Sequence, residues 1–231
     1  MERNVILDSS SAAIQVAALL AHYPGLQQEI LEKEIRLRGE ILVSRVYDGF
    51  PILKTAGVMI TVYIDSDKYP KIKDINNSIS QDYPHRYPSG ELCLATEFDL
   101  HIHFADGFDM LVWMKDFVEP YYYSYEYYQR FGCFPFGERA HGSFGKLQSY
   151  MDYFQTEDQL STLRILKGIA DNEYYHGSML CFCGSQKRGK RCHKKILDFY
   201  NRPILRRQAV LDFNDIMTEV RKYDESCRAT E

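Results

Sequence analysis

The sequence predicts an α+β fold in which a short antiparallel meander is flanked by helices and followed by a small cysteine-rich module. Ile14, Ala17, Ala18 and Ala21 follow helical spacing, residues 34–46 largely alternate between apolar and polar side chains, and residues 58–64 form a β-branched run. Three of the six cysteines crowd into residues 181–192. The chain has 231 residues, of which 45% are hydrophobic, so it can bury one core of ordinary size and an appendage.

The first helix is expected to start after Asp8–Ser11 and to end at Pro24-Gly25, because these residues favour helix caps and turns. Segments rich in β-branched residues and separated by turn residues then predict a run of short strands. The predicted extended segments are residues 34–46, 50–54, 58–64 and 71–75. Tyr47-Asp48-Gly49 supplies the turn between the first two, and Tyr69-Pro70 precedes the last.

Helices dominate the predicted second half of the chain. Residues 108–118 carry one apolar stripe, and Pro120 is expected to interrupt this helix before a tyrosine-rich stretch whose side chains act as packing groups. A capping box at residues 156–159 opens another helix, which is expected to end at Asp171-Asn172. The last helix is predicted from Pro203 to about Tyr223.

Charge and hydropathy exclude several classes of protein. The net charge of −4 gives no overall basic field that would draw the chain onto nucleic acid. No apolar run approaches the ~20 residues that a bilayer requires, and we find no signal-peptide pattern. We therefore expect a soluble protein of the cytoplasm that does not bind membranes and that is not drawn to nucleic acid by its overall charge.

Basic residues are nevertheless concentrated near the clustered cysteines. The set comprises Lys187, Arg188, Lys190, Arg191, Lys194 and Lys195. Two interpretations remain open for this cluster. It can be a solvated face beside the cysteines, or it can bind an acidic partner or nucleic acid.

The cysteine spacing indicates a metal site. Cys181, Cys183, Cys192 and His193 form a compact Cys₃His set, while the other cysteines are isolated, which argues against a disulfide framework. Four nitrogen and sulfur ligands suit tetrahedral zinc and leave no position open for a reacting water, so we expect the zinc to be structural. The string C-F-C-G-S-Q-K-R-G-K-R-C-H resembles the SEC-C zinc motif, which implies a docking surface for a protein partner.

Cys93, the remaining cysteine of interest, lies in a turn-rich segment, residues 83–94. It reads Y-P-H-R-Y-P-S-G-E-L-C-L, whose prolines and Ser-Gly pair exclude a helix or a central strand. The segment resembles the active-site loop of ubiquitin-conjugating enzymes, in which H-P-N and a Y-P-S-G-like turn precede the acceptor cysteine and a leucine. Tyr83 stands where that family has histidine, and His85 stands where it has asparagine.

This resemblance implies a ubiquitin-conjugating-enzyme-like fold and a catalytic Cys93, which would carry the C-terminal glycine of a ubiquitin-like modifier or target protein as a thioester and transfer it to an amine. His85 would take the role of the oxyanion donor and could also move a proton. Tyr83 would hold the loop of residues 83–94 in place. No organic cofactor is implied. The order of a helix, strands, a Tyr-Pro turn and a proline-bearing loop is similar to that of the family.

The string G-E-R-A-H-G at residues 137–142 resembles bacterial members of this family. Some of these serve antiphage operons, either in ubiquitin-like conjugation or by processing a nucleotidyltransferase that makes cyclic oligonucleotides. The implied partners are a modifier or the C-terminus of such a nucleotidyltransferase, an activating enzyme, and an amine on a target protein. We predict a conjugating-enzyme-like domain over residues 1–175 and a zinc module with a C-terminal helix over residues 176–231.

Two other functions remain open. The chain can be an inactive module that binds a partner through its zinc loop, or a cysteine hydrolase that uses Cys93 with His85 or His141. Several further side chains qualify as helpers on residue type alone, namely Asp106, Asp109 and Glu138 as acids near the incoming amine. His101 and His103 alternate in a possible strand and would then share one face.

Overall fold

The computed structural model describes residues 5–228, with the backbone alone at positions 224, 227 and 228. It is a mixed α+β structure. Its helices and strands, in chain order, are α1 (Ser9–His22), β1 (Leu26–Ile30), β2 (Glu34–Tyr47), β3 (Phe50–Tyr63), β4 (Lys71–Asp74), α2 (Glu97–His103), α3 (Met110–Trp113), α4 (Glu119–Phe131), α5 (Gly142–Phe154), α6 (Gln159–Asp171), α7 (Asp198–Asn201) and α8 (Pro203–Arg228).

The described residues form two compact units. The first contains the residues up to Ala95 together with Phe104–Glu138, and the second contains Thr96–His103 together with the chain from Arg139 onward. These units divide the chain differently from the predicted boundary at about residue 175. The reason is packing, since α5 and α6 lie against α8 and share one hydrophobic core with the cysteine-rich loop.

The first unit contains an antiparallel sheet with strand order β1-β2-β3-β4, which confirms the predicted meander. Strands β2 and β3 pair over their whole length, from Glu34 opposite Tyr63 to Tyr47 opposite Phe50. Asp48 and Gly49 close this hairpin with φ values of 47° and 75°, as a two-residue turn between twisted strands requires. Strand β1 was not predicted, because its residues are mostly polar and exposed.

Helices cover the buried face of this sheet. Alternate side chains of β2 point into the core, as the period of two predicts, and α4 packs against the same strand. The buried members on β2 are Ile35, Leu37, Ile41 and Val43. Four tyrosines of α4 are buried as well, which confirms their predicted packing role, and the Tyr123 hydroxyl donates to the Tyr47 carbonyl at the hairpin end, 2.9 Å away.

The prediction that Pro120 interrupts the helix is wrong. Residues Met114–Val118 form a π-helical turn that joins α3 to α4, so the helical path continues through the proline. The Glu119 N–H donates to the Met114 carbonyl, five residues back. This wider turn gives the proline ring room that an α-helical turn would deny it, because the ring otherwise clashes with the carbonyl four residues earlier.

The second unit is mainly helical. Asp158 caps α6 by accepting from the Ser161 N–H, so the predicted helix is present but its cap lies two residues after Thr156. The predicted last helix begins at Pro203 as expected and extends to Arg228. Aromatic rings dominate the core, with Phe98 stacked on Tyr150 at a centroid distance of 4.0 Å. Within the described residues, no helix is long and apolar enough to cross a membrane.

Candidate functional site

Cys93 follows a small hairpin rather than an irregular loop. Tyr87 to Gly90 form its turn, in which the Gly90 N–H donates to the Tyr87 carbonyl and the Tyr87 N–H donates to the Glu91 carbonyl, both at 2.8 Å. Pro88 suits the second position of such a turn, and Gly90 adopts a φ of 84°, which favours glycine. Arg86 and Leu92 pair as an antiparallel bridge on the two arms.

This hairpin is attached to the edge of the sheet. The Leu92 N–H donates to the Ile72 carbonyl of β4 at 3.0 Å, and Glu91 pairs with Lys73 as an antiparallel bridge. The Glu91 carboxylate also lies 3.2 Å from the Lys71 ammonium. Backbone pairing therefore fixes the residue before Cys93 to β4, which places the thiol beside the sheet edge.

The Cys93 thiol is partly exposed and has one polar neighbour that the sequence did not single out as a helper. The Tyr87 hydroxyl lies 3.3 Å from Cys93 Sγ, a distance at which it can donate a hydrogen bond to sulfur. A donor on a thiolate stabilises the nucleophilic form of cysteine. Tyr87 is part of the Y-P-S-G string, but only the folded hairpin brings its hydroxyl back to a residue six positions later.

His85 lies across the hairpin from Cys93. The Cys93 N–H donates to the His85 carbonyl at 2.8 Å, and the same carbonyl accepts from the Tyr121 hydroxyl at 3.0 Å. The imidazole packs edge-on against Phe134, with a centroid distance of 5.3 Å. A side-chain nitrogen of His85 and a carboxylate oxygen of Glu138 lie within 4.8 Å of one another. The structure therefore brings two of the predicted polar helpers together.

Tyr83 holds the loop by packing. Its ring is almost fully buried, and four aromatic rings surround it within about 6 Å, namely those of Tyr121, Tyr125, Tyr128 and Phe134. Burial raises the pKa of the Tyr83 hydroxyl above its ordinary value. The phenol is therefore neutral at physiological pH, and its ring provides a fixed apolar base under the start of the segment.

The other predicted helpers belong to α2, to the N-terminal ends of α3 and α5, and to the loop before α3. His101 and His103 belong to helix α2, not to a strand, so they occupy different faces, with His101 buried and His103 exposed. The local sequence around these histidines is compatible with either a strand or a short helix. Packing of α2 against α8 stabilises the helix. Asp109 caps α3 by accepting from the Val112 N–H, and His141 precedes α5 at its N-cap position. Asp106 is exposed in the loop before α3.

The predicted metal ligands of the second unit converge. One ligand atom from each of Cys181, Cys183, Cys192 and His193 lies within 4.8 Å of every other. Cys183 Sγ is 3.6 Å from Cys192 Sγ, and His193 Nδ1 is 3.3 Å from Cys181 Sγ and 3.4 Å from Cys192 Sγ. A tetrahedral zinc centre has sulfur–sulfur edges of about 3.8 Å and sulfur–nitrogen edges of about 3.6 Å. The four side chains are therefore close enough to bind one metal ion, and their spacing is consistent with zinc.

The surroundings of the cluster favour a cation. Burial raises the pKa of the Cys181 thiol to about 12, because a thiolate loses hydration inside the core. A bound dication offsets that cost by coordinating the thiolate. Burial also lowers the pKa of His193, which keeps the imidazole in the neutral form that binds metal. Gly184, with a φ of 89°, lets the loop turn directly after the first two cysteines.

The two units thus contain an accessible loop cysteine beside an antiparallel sheet and a Cys₃His cluster on a helical core. Comparison with protein-family models, curated proteins and solved structures finds no match to this chain. The side chain of Cys227 lies outside the described residues.

Replacing Tyr87 with phenylalanine is expected to reduce the reactivity of Cys93 about three- to tenfold at neutral pH. The substitution removes the hydroxyl that can stabilise the thiolate, and one hydrogen bond to a charged group at a partly exposed site is worth about 1 kcal/mol. The measurement is the rate of alkylation of Cys93 by iodoacetamide, followed by peptide mass spectrometry. Tyr174→Phe, at an exposed position of the second unit, is the matched control. An unchanged rate in Tyr87→Phe would show that the hydroxyl does not act on the sulfur.

Proposed function

We propose that this protein is a cysteine-dependent acyl transferase of the ubiquitin-conjugating-enzyme-like class. The observation that carries the proposal is the presentation of Cys93. The thiol is partly exposed at the end of a proline-bearing hairpin that is hydrogen-bonded to β4, with the Tyr87 hydroxyl 3.3 Å from its sulfur. A thiol that must exchange acyl groups with two other proteins needs both access to solvent and a rigid support.

The order of elements supports the same class. A helix is followed by three antiparallel strands, a Tyr-Pro turn, the fourth strand, and then the segment that leads to the cysteine. This is the order that the sequence resemblance implies for a conjugating-enzyme-like fold. The match at Tyr87, Pro88 and Gly90 gains weight because these residues form the turn of the hairpin.

Two acyl transfers make up the proposed reaction. The Cys93 thiolate attacks the thioester carbonyl of a modifier held on the cysteine of an activating enzyme, a new carbon–sulfur bond forms, and the activating enzyme leaves as its thiolate. An amine of the target then attacks the Cys93 thioester, an amide bond forms, and the Cys93 thiolate leaves. The amine nitrogen loses one proton to a base, and no electrons are gained or lost.

His85 and Glu138 are the side chains proposed to assist. An imidazole N–H can donate to the oxyanion of the tetrahedral intermediate, which is the role that the resemblance gives to this position. A carboxylate within 4.8 Å of the imidazole can orient the ring or accept the proton of the incoming amine. Because the His85 carbonyl is held by two hydrogen bonds, its side chain starts from a defined backbone position.

Replacing His85 with alanine is expected to slow acyl transfer from Cys93 to an amine by about 10²-fold and loading of Cys93 by much less. Transfer requires oxyanion stabilisation and proton removal together, and losing one oxyanion donor costs about 10²- to 10³-fold. Single-turnover assays measure loading from an activating enzyme and discharge to lysine separately. His103→Ala, at an exposed position of α2, is the matched control. Equal losses in both steps would contradict the assigned role.

We also propose that the Cys₃His cluster holds a structural zinc ion. All four ligand positions are filled by protein, so the site offers no open position for a substrate or a reacting water. Cys181 and Cys183 belong to the buried core of the second unit. A metal bound there would tie the loop between α6 and α7 to the helices.

The biological setting follows from the resemblance alone and is proposed on that basis. It is an antiphage operon whose other products include a ubiquitin-like modifier or a cyclic-oligonucleotide nucleotidyltransferase, together with an activating enzyme and a protein acceptor. Purified protein incubated with the modifiers encoded nearby and with their activating enzyme tests this setting. A thioester on Cys93 that a reducing thiol releases is the expected product.

An inactive binding module is the second candidate function, and a cysteine hydrolase is the third. The partial exposure of Cys93 favours an active thiol over the binding module. The same incubation separates all three. An adduct discharged to an amine indicates the transferase, release of free carboxylate without amine transfer indicates a hydrolase, and a stable complex without any adduct indicates a binding module.

A further inference from the structure

A pocket beside the metal cluster, in the second unit, is lined by basic side chains. Its volume is about 540 Å³, and its lining residues are His176, Ser178, Met179, Arg188, Lys190 and Arg191. Three of these six carry a positive charge, and no carboxylate lines the pocket. None of the six is a member of the Cys₃His cluster. Five of the six lining residues are exposed and Met179 is half-buried, so the pocket is an open concavity of the surface.

The folded loop orients two of these side chains. One terminal nitrogen of Arg188 donates to the Ser178 carbonyl at 2.7 Å, which fixes the guanidinium while its other N–H groups remain for a ligand. The Ser178 backbone N–H donates to His176 Nδ1 at 3.3 Å, and the Ser178 hydroxyl lies 2.6 Å from the same nitrogen. Since a backbone N–H can only donate, His176 Nδ1 accepts, and the neutral ring carries its proton on Nε2.

The pocket is therefore lined by hydrogen-bond donors of positive or neutral charge. Guanidinium groups match the oxygens of phosphates and carboxylates, and lysine adds a point charge. Three positive charges without a lining carboxylate suit a doubly charged phosphate better than a single carboxylate. An exposed aromatic ring lies next to this group, since Tyr174 packs edge-on against His176 at 5.4 Å.

Two other basic side chains of the second unit make contacts away from this pocket. Lys195 donates to the Tyr153 carbonyl and lies over the Tyr153 ring. Further along the chain, Arg206 donates to the Asn172 carbonyl and lies over Tyr200. These two side chains therefore do not add to the positive charge that lines the pocket.

We propose that this pocket binds the phosphate group of a small phosphorylated molecule. Isothermal titration of the full chain, purified with its metal, tests the proposal with inorganic phosphate, glucose 6-phosphate, AMP and adenosine as separate probes. We expect the phosphorylated probes to bind and adenosine not to bind. Tighter binding of AMP than of the other two would indicate that an aromatic group is recognised beside the phosphate, and equal binding would indicate that the phosphate alone is recognised.

Matched substitutions locate the site. Lys190→Gln and Arg191→Gln are each expected to weaken phosphate binding about tenfold, because each removes a charged donor from the pocket. Lys187→Gln makes the same change of charge on the same loop, outside the pocket lining, and is expected to leave binding unchanged. Metal content and thermal unfolding of each variant report whether the loop is intact.

Several outcomes would overturn the proposal. Equal binding of adenosine and AMP would show that the phosphate is not recognised. Unchanged binding in both Lys190→Gln and Arg191→Gln, or equal loss in Lys187→Gln, would place the anion elsewhere. Binding of hexaglutamate by a protein that binds no phosphorylated probe would identify the pocket as a docking site for an acidic peptide.

Discussion

Replacing Cys93 with alanine is expected to abolish formation of the acyl adduct, a loss of at least about 10³-fold, because the attacking sulfur is removed. Replacing it with serine is expected to give a slowly formed ester that a reducing thiol does not release, since an oxyester exchanges with thiols far more slowly than a thioester. The assay combines the protein with an activating enzyme and a modifier, then measures intact mass before and after a reducing thiol. Partial exposure of Cys93 means that neither substitution leaves a large cavity.

The matched control for Cys93 is Cys133→Ser. Cys133 is an exposed cysteine in the loop between α4 and α5, so it tests whether thiol exposure alone produces an adduct. It is expected to load and discharge like the unaltered protein. An adduct of the same mass that persists on Cys93→Ala and remains sensitive to thiols would refute Cys93 as the acceptor.

Replacing Cys183 with serine is expected to remove the bound metal and unfold much of the second unit. Cys183 is 5% exposed, within the core formed by α5, α6 and α8, so the loop and the helices should lose stability together. Structural zinc contributes an apparent binding free energy of about 10–16 kcal/mol in small zinc modules, more than the stability of most domains. Elemental analysis should fall from about one zinc per chain to near zero.

Hydrogen exchange monitored by mass spectrometry separates a local effect from a general one. We expect protection to fall in peptides from residues 139–222 and to persist in the sheet at residues 34–63. A strong chelator applied to the unaltered protein should give the same pattern. Cys133→Ser is again the control, because it lies outside the Cys₃His cluster. A metal-free protein whose second unit keeps full protection would contradict the structural role.

Local sequence signals predicted the elements that depend on near neighbours. Tyr47-Asp48-Gly49 predicted the turn between β2 and β3, because a two-residue turn with positive φ favours Asp and Gly. Residues 50–54 and 58–64 were predicted as two extended segments, and they belong to the single strand β3. The proximity of the four Cys and His side chains was also predicted, since a Cys-x-Cys pair and a Cys-His pair a few residues apart can meet without help from the rest of the fold. The main error at short range was Pro120, where a π-helical turn accommodates a residue that usually ends a helix.

Structural features that depend on residues distant in the sequence were not predicted. Strand β1 has a polar sequence, and it is a strand only because β2 supplies its hydrogen-bond partners. His101 and His103 occupy a helix because α2 packs against α8, more than a hundred residues later. No local pattern in the sequence indicated that Glu138 lies near His85. None indicated that the Tyr121 hydroxyl donates to the His85 carbonyl either.

The sequence alone determined that a cysteine follows a proline-bearing turn, that strands form a meander before it, and that three cysteines and a histidine cluster in the last quarter of the chain. Only the tertiary structure decided that the cysteine hairpin pairs with β4, that α5 and α6 share a core with the cysteine-rich loop, and that three basic side chains converge on one pocket. The physical reason is the range of the interactions. Turn conformation and ligand spacing act over a few residues, whereas strand pairing, burial and the convergence of charges depend on which distant segments pack together.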